Sequence, residues 1–116
     1  MKVTPDTIRD AYAYLRKLPP FSRWGLPLPG KVVFELEKNP ADHATFLDTS
    51  PPVLTVHPHL HTTLQQLHMS VAHEMVHLRQ HMLGRLNPDH NGAHNTEFRR
   101  LSSLVCRHLG FNVQHF

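Results

Sequence analysis

The chain has a single cysteine, Cys106, and nothing close to a membrane-length run of apolar residues. A lone cysteine rules out an internal disulfide and any cysteine-based zinc ribbon. A membrane-spanning helix would need about 18 or more consecutive apolar residues, which predicts no membrane partner. The opening MKVTPDTIRD lacks the apolar segment of a secretion signal, and a cytoplasmic location is expected. Basic residues are not clustered: no Lys/Arg run exceeds two residues, and the formal charge is +3. That mild charge permits nucleic-acid association. Without a basic patch and interleaved aromatics, nucleic-acid binding is not expected as the main function. A length of 116 residues suits one domain, 1–116, with one modest core to which a bound metal could add stability.

Histidine is what the chain has in excess, with twelve residues. That richness hints at metal chemistry and also multiplies accidental histidine motifs, so the elements that carry the histidines matter. Residues 4–18 predict a helix: Thr4 can cap it, Pro5 and Asp6 suit its first turn, and Ile8, Ala11, Tyr12 and Leu15 share one face. Pro19 and Pro20 end it. Pro27, Pro29, Gly25 and Gly30 make the following stretch a rigid irregular connection, with Phe21 and Trp24 as core anchors. KVVFELE (31–37), HATFLD (43–48) and VLTV (53–56) read as strands, and the short turns between them predict an antiparallel three-stranded sheet. A long helix over 63–83 closes at Gly84. A last helix over 95–109 carries the stripe Phe98, Leu101, Leu104, Val105 and Leu109. The expected class is α+β.

The long helix contains VAHEMVHLRQH, residues 71–81. At 3.6 residues per turn, Leu64, Leu67, Val71, Met75, Leu78 and Met82 form the core stripe. His73, His77 and His81 fall opposite it with Gln66, Ser70 and Gln80, and Glu74 lies at the border. This arrangement has two readings, a metal site with its base or a solvated face rich in histidine. The spacing favours the metal. Histidines four apart stack on one helix face with Cβ atoms roughly 5–6 Å apart, so two imidazoles can reach one zinc at about 2.0–2.1 Å. Glu74 is rotated off that axis and suits a general base that takes a proton from water activated by the zinc.

A catalytic zinc needs a third protein ligand and an open position for water. His81 sits two turns from His73 on the same straight helix and is a poor candidate. Gln80 and Leu83 occupy the positions where a metzincin has glycine and histidine, which excludes that class. His90, His94 and Glu97 remain, and spacing alone does not choose among them.

HEMVH at 73–77, followed after a loop by HNTEFRRL at 94–101, is similar to the SprT-like (Spartan-like) zinc metalloproteases. Their pattern is HExxH, a variable loop, and a histidine with an aromatic four residues later. His73, Glu74, His77, His94 and Phe98 match it in type and order, over a resemblance spanning roughly residues 31–110. Asn95 stands where that family usually has glycine. The resemblance implies His94 as third ligand, a zincin-like fold with a short sheet packed on helices, and a minimal protease domain. It does not carry over the repair of DNA–protein crosslinks.

The expectation is therefore a zinc metalloendopeptidase-like hydrolase acting on a protein or peptide substrate. One catalytic Zn2+ is held by His73, His77 and His94, with Glu74 as general base. The alternative is a non-catalytic zinc-binding domain with a structural zinc closed by a fourth ligand such as His90. Among the other residues, Phe98, Trp24 and Cys106 are expected in the core and His68 as a buried, satisfied histidine. The row His57, His59, His61 is expected as a solvated lead-in, with a second metal site as its sharper alternative.

Overall fold

Thr4 starts the first helix as its chemistry predicts. A computed structural model of the chain describes residues 2–61, 63–84 and 96–116, and in it α1 spans Pro5–Arg16. Thr4 Oγ1 accepts from the Thr7 amide and Thr7 Oγ1 from the Thr4 amide, both at 3.2 Å. Two otherwise unpaired amides are satisfied reciprocally. The buried face is Ile8, Ala11, Tyr12 and Leu15. From it the Tyr12 hydroxyl donates to the Pro27 carbonyl at 2.6 Å, and Arg16 Nε donates to the Leu26 carbonyl at 3.0 Å. The proline-rich connection is thus tied to α1. Its Phe21 and Trp24 are both buried, packed edge to face with ring centroids 5.2 Å apart.

The three strands form where the β-branched and aromatic residues cluster: β1 Val33–Leu36, β2 Ala44–Leu47 and β3 Val53–Val56. Their pairing differs from the expectation. The order is β1-β3-β2, with β1 parallel to β3 and β2 antiparallel to β3, so the sheet is mixed rather than antiparallel. The reason lies in the link over residues 37–43. It carries the chain past the neighbouring position and leaves a gap, which β3 fills. β3 earns the central place by composition, since Leu54 and Val56 are fully buried there. Glu37, just after β1, fastens the strands of the sheet: its carboxylate accepts from Thr45 Oγ1 at 2.8 Å and from Thr55 Oγ1 at 2.9 Å. The Asn39 and Lys38 amides also donate to it, at 3.0 Å each. These bonds, the one from Asn39 foremost, hold its pKa below the usual carboxylate value.

α2 spans Leu64–Met82 and is opened by a second capping box between Thr63 and Gln66. It ends at Gly84, which takes a left-handed φ of +67° and donates its amide to the His81 carbonyl. Leu67, Val71, Met75 and Leu78 are fully buried, as the helical spacing predicts. Leu64 and Met82 are not; at 59% and 42% exposed, they stand at the two ends of the helix. The expected polar face also departs from expectation: His77 and Gln80 are only 3% and 1% exposed, and Glu74 at its border is 6% exposed. A wheel drawn for one buried stripe assumes one neighbour. α2 touches α1, β2, β3 and α3 (Thr96–Leu109), so it is covered on several sides. α2 is also tied to the proline-rich connection: Arg79 donates to the Trp24 carbonyl at 2.7 Å and lies 5.9 Å from its ring centre. No helix among the described residues is long and apolar enough to cross a membrane.

Candidate functional site

One turn of α2 brings the imidazoles of His73 and His77 to a centroid separation of 5.3 Å, with their planes 68° apart. Phe98 of α3 closes over the pair, stacked on His77 at 4.4 Å and tilted against His73 at 5.0 Å. Phe98 is buried, so its role is that of a core residue that also walls the histidines. His73 Nδ1 lies 3.1 Å from the backbone oxygen of Phe116. That oxygen can only accept, so Nδ1 carries the hydrogen and the ring's lone pair is on Nε2. A separation of one helical turn and a lone pair on Nε2 are the donor chemistry a zinc-binding histidine needs.

Glu74 is the unusual member of the trio. The residue is buried, and its carboxylate accepts no hydrogen bond from any described residue. Burial, and after it the negative charges of Asp42 and Glu37, pushes its pKa from 4.5 up to about 8. The sign of the resulting stability effect follows from proton counting. Between pH 4.5 and about 8 the folded, metal-free protein keeps a proton on Glu74 that the unfolded chain has released. Stability therefore falls as pH rises through that window and levels above it. Urea unfolding of the metal-free protein should show wild type losing on the order of 3 kcal/mol relative to Glu74→Gln between pH 5 and pH 7. Parallel pH profiles for the two proteins would remove this account of Glu74.

His73 and Glu74 border two clefts. One, of about 730 Å³, runs past His77 to Glu37, Asp42 and Thr45. The other, of about 460 Å³, is walled by His61, Ser70 and the residues His115 and Phe116. The trio thus sits where the two clefts meet, with acidic residues along one side. Asp42 and Glu37 were not expected as neighbours of Glu74. They come from the link after β1, and nothing local in the sequence joins them to α2.

His90 and His94 lie outside the described residues. Glu97 lies within them, and its Oε1 accepts from the buried Gln80 amide at 3.2 Å. Among the described residues no group of three or more His, Cys, Asp or Glu side chains is arranged to hold a metal. Through its bond to Gln80, Glu97 links α3 to α2. No protein-family profile, curated protein or solved structure matches the chain.

The remaining histidines sort by packing. His81 packs on Phe46 with centroids 5.7 Å apart and lines neither cleft. His61 departs from the expected solvated lead-in. It is buried, with Nδ1 donating to the His57 carbonyl at 3.0 Å and Nε2 accepting from Ser70 Oγ at 2.8 Å. Both ring nitrogens are engaged, and burial lowers its pKa. His61 is thus a neutral staple that fastens the lead-in to α2. His68 is half-buried and stacks on Tyr14 at 5.2 Å, its pKa lowered by desolvation. Cys106 is buried as expected, and burial raises its thiol pKa.

Proposed function

We propose that the chain is a zinc-dependent metallopeptidase of the SprT-like type, with a zincin-like arrangement in which α2 is the active-site helix. One observation carries the reading: the buried residue Glu74, whose carboxylate has no donor among the described residues, lines an open cleft together with two imidazoles one helical turn apart. Burial makes this carboxyl costly to ionise, and groups perturbed in this way concentrate where chemistry uses them. A purely structural zinc would have no need of it.

In this proposal His73 and His77 hold the zinc through one helix, and His94 completes the set from the segment entering α3. Zinc, when bound, lowers the pKa of water to about 7 and polarises a carbonyl. Glu74 takes the proton from the attacking water and delivers it to the departing amine. The positive charge of bound zinc would favour the ionised form of Glu74, the form able to accept a proton. Phe98 fixes the imidazoles by packing. The larger cleft, with β2 along it, is the place for an extended protein or peptide substrate.

The test is metal content together with hydrolysis. The purified chain should carry zinc at a one-to-one ratio and cleave an unfolded protein such as casein, with activity removed by a chelator and restored by zinc. Among ligand variants, His94→Ala should lose the zinc. Glu97→Ala should keep it and lose only the stability of its bond to Gln80, about 1 kcal/mol. Zinc that survives loss of His94 and vanishes with Glu97 would reverse the third-ligand assignment.

A further inference from the structure

We propose that the segment after α3 is a positioning element for His73, in which the backbone oxygen of Phe116 sets the imidazole tautomer that makes Nε2 a metal donor. This inference rests on the metallopeptidase reading above. Gly110 takes a φ of +74°, and its amide donates to the Cys106 carbonyl at 2.8 Å, ending α3. Beyond it the chain makes its own turn: the His115 amide donates to the Asn112 carbonyl at 3.0 Å, and the Gln114 amide to Asn112 Oδ1 at 2.9 Å. Two aromatics anchor this turn. Phe111 and Phe116 pack against the core and stack on each other with centroids 6.1 Å apart. The Phe116 ring also lies 5.4 Å from the His73 ring. The result is a backbone oxygen held 3.1 Å from His73 Nδ1, forty-three residues away in the chain.

Several weak contacts thus converge on one imidazole. In water the neutral ring favours its hydrogen on Nε2, the wrong tautomer for an Nε2 ligand. An acceptor at Nδ1 reverses that preference, orients the ring and raises its basicity. Such outer partners are worth about 10–100-fold in metal affinity. Residues 115 and 116 also wall the smaller cleft beside Glu74, so the same segment shapes the approach to the site.

The closing experiment reads the tautomer and the affinity separately. Long-range proton–nitrogen NMR of the zinc-free full chain at pH 8 should place the His73 hydrogen on Nδ1. Deleting His115 and Phe116 should shift it towards Nε2 and weaken zinc binding about 10–100-fold in competition with a chromophoric chelator. The amide spectrum of the zinc-free deletion variant should otherwise match that of the full chain. Phe116→Leu keeps the backbone oxygen and an apolar anchor, and should retain both tautomer and affinity. A His73 hydrogen on Nε2 in the full chain overturns the proposal without recourse to any variant. Equal zinc affinity with and without residues 115–116 also overturns it. Equal losses in Phe116→Leu and the deletion would assign the effect to the ring, against the proposal. Failure of the full chain to bind zinc is a different result: it removes the metallopeptidase reading, whereas the zinc-free tautomer measurement decides the contact itself.

Discussion

Glu74→Gln should bind zinc as wild type does and lose hydrolysis by about 10²–10⁴-fold, the usual worth of a positioned general base. The substitution is close to isosteric, so His73 and His77 keep their spacing on α2. It breaks no hydrogen bond to any described residue. What it removes is the capacity to accept a proton. The fall should therefore appear in kcat, measured with a fluorogenic peptide, with KM changed little. Zinc content is read in parallel by elemental analysis. Full activity in Glu74→Gln would sink the general-base role, and a loss of zinc together with activity would place Glu74 among the ligands instead. The variant should also be the more stable metal-free protein at neutral pH, because it no longer releases a proton on unfolding. A gain in stability with a loss of activity separates a residue kept for chemistry from one kept for packing.

How far the sequence reaches depends on how local each interaction is. Thr4 caps α1 through a residue three positions away, and the buried face of α1 follows from its own spacing. Those features were legible. The sheet was not, because parallel pairing of Val33 with Val53 depends on where a distant segment comes to rest. The link over 37–43 looks like a hairpin turn until β3 is seen to fill the place between its two strands. The long helix was legible in register and misleading in environment. Its spacing separates Val71 and Met75 from His77 and Gln80, yet all four are buried, since α3 and the sheet cover sides that a single-stripe wheel assigns to water. The candidate site divides in the same way. His73, Glu74 and His77 are local and readable. Asp42, Glu37 and the Phe116 oxygen reach Glu74 and His73 through tertiary contacts alone, and a backbone oxygen has no signature in side-chain chemistry at all.

Removal of zinc should lower the unfolding temperature by roughly 10–20 °C. The argument is mass action. A ligand that binds only the folded state at about 1,000 times its dissociation constant stabilises by about 4 kcal/mol, and each kcal/mol moves the midpoint of a domain this size by several degrees. The shift should appear in calorimetry with and without a chelator and grow with the logarithm of free zinc. His77→Ala should abolish it. That variant will also be less stable without metal, because it empties a buried site stacked on Phe98. The diagnostic quantity is therefore the zinc-dependent difference within each protein. His81→Ala provides the contrast: it gives up packing on Phe46 and belongs to the same row of histidines, yet should keep the whole zinc shift. A zinc shift that survives in His77→Ala, or disappears in His81→Ala, would redraw the ligand set on α2. A wild-type protein whose unfolding ignores zinc would overturn the metal reading, and with it the division of one row of histidines into ligands and a packed neighbour.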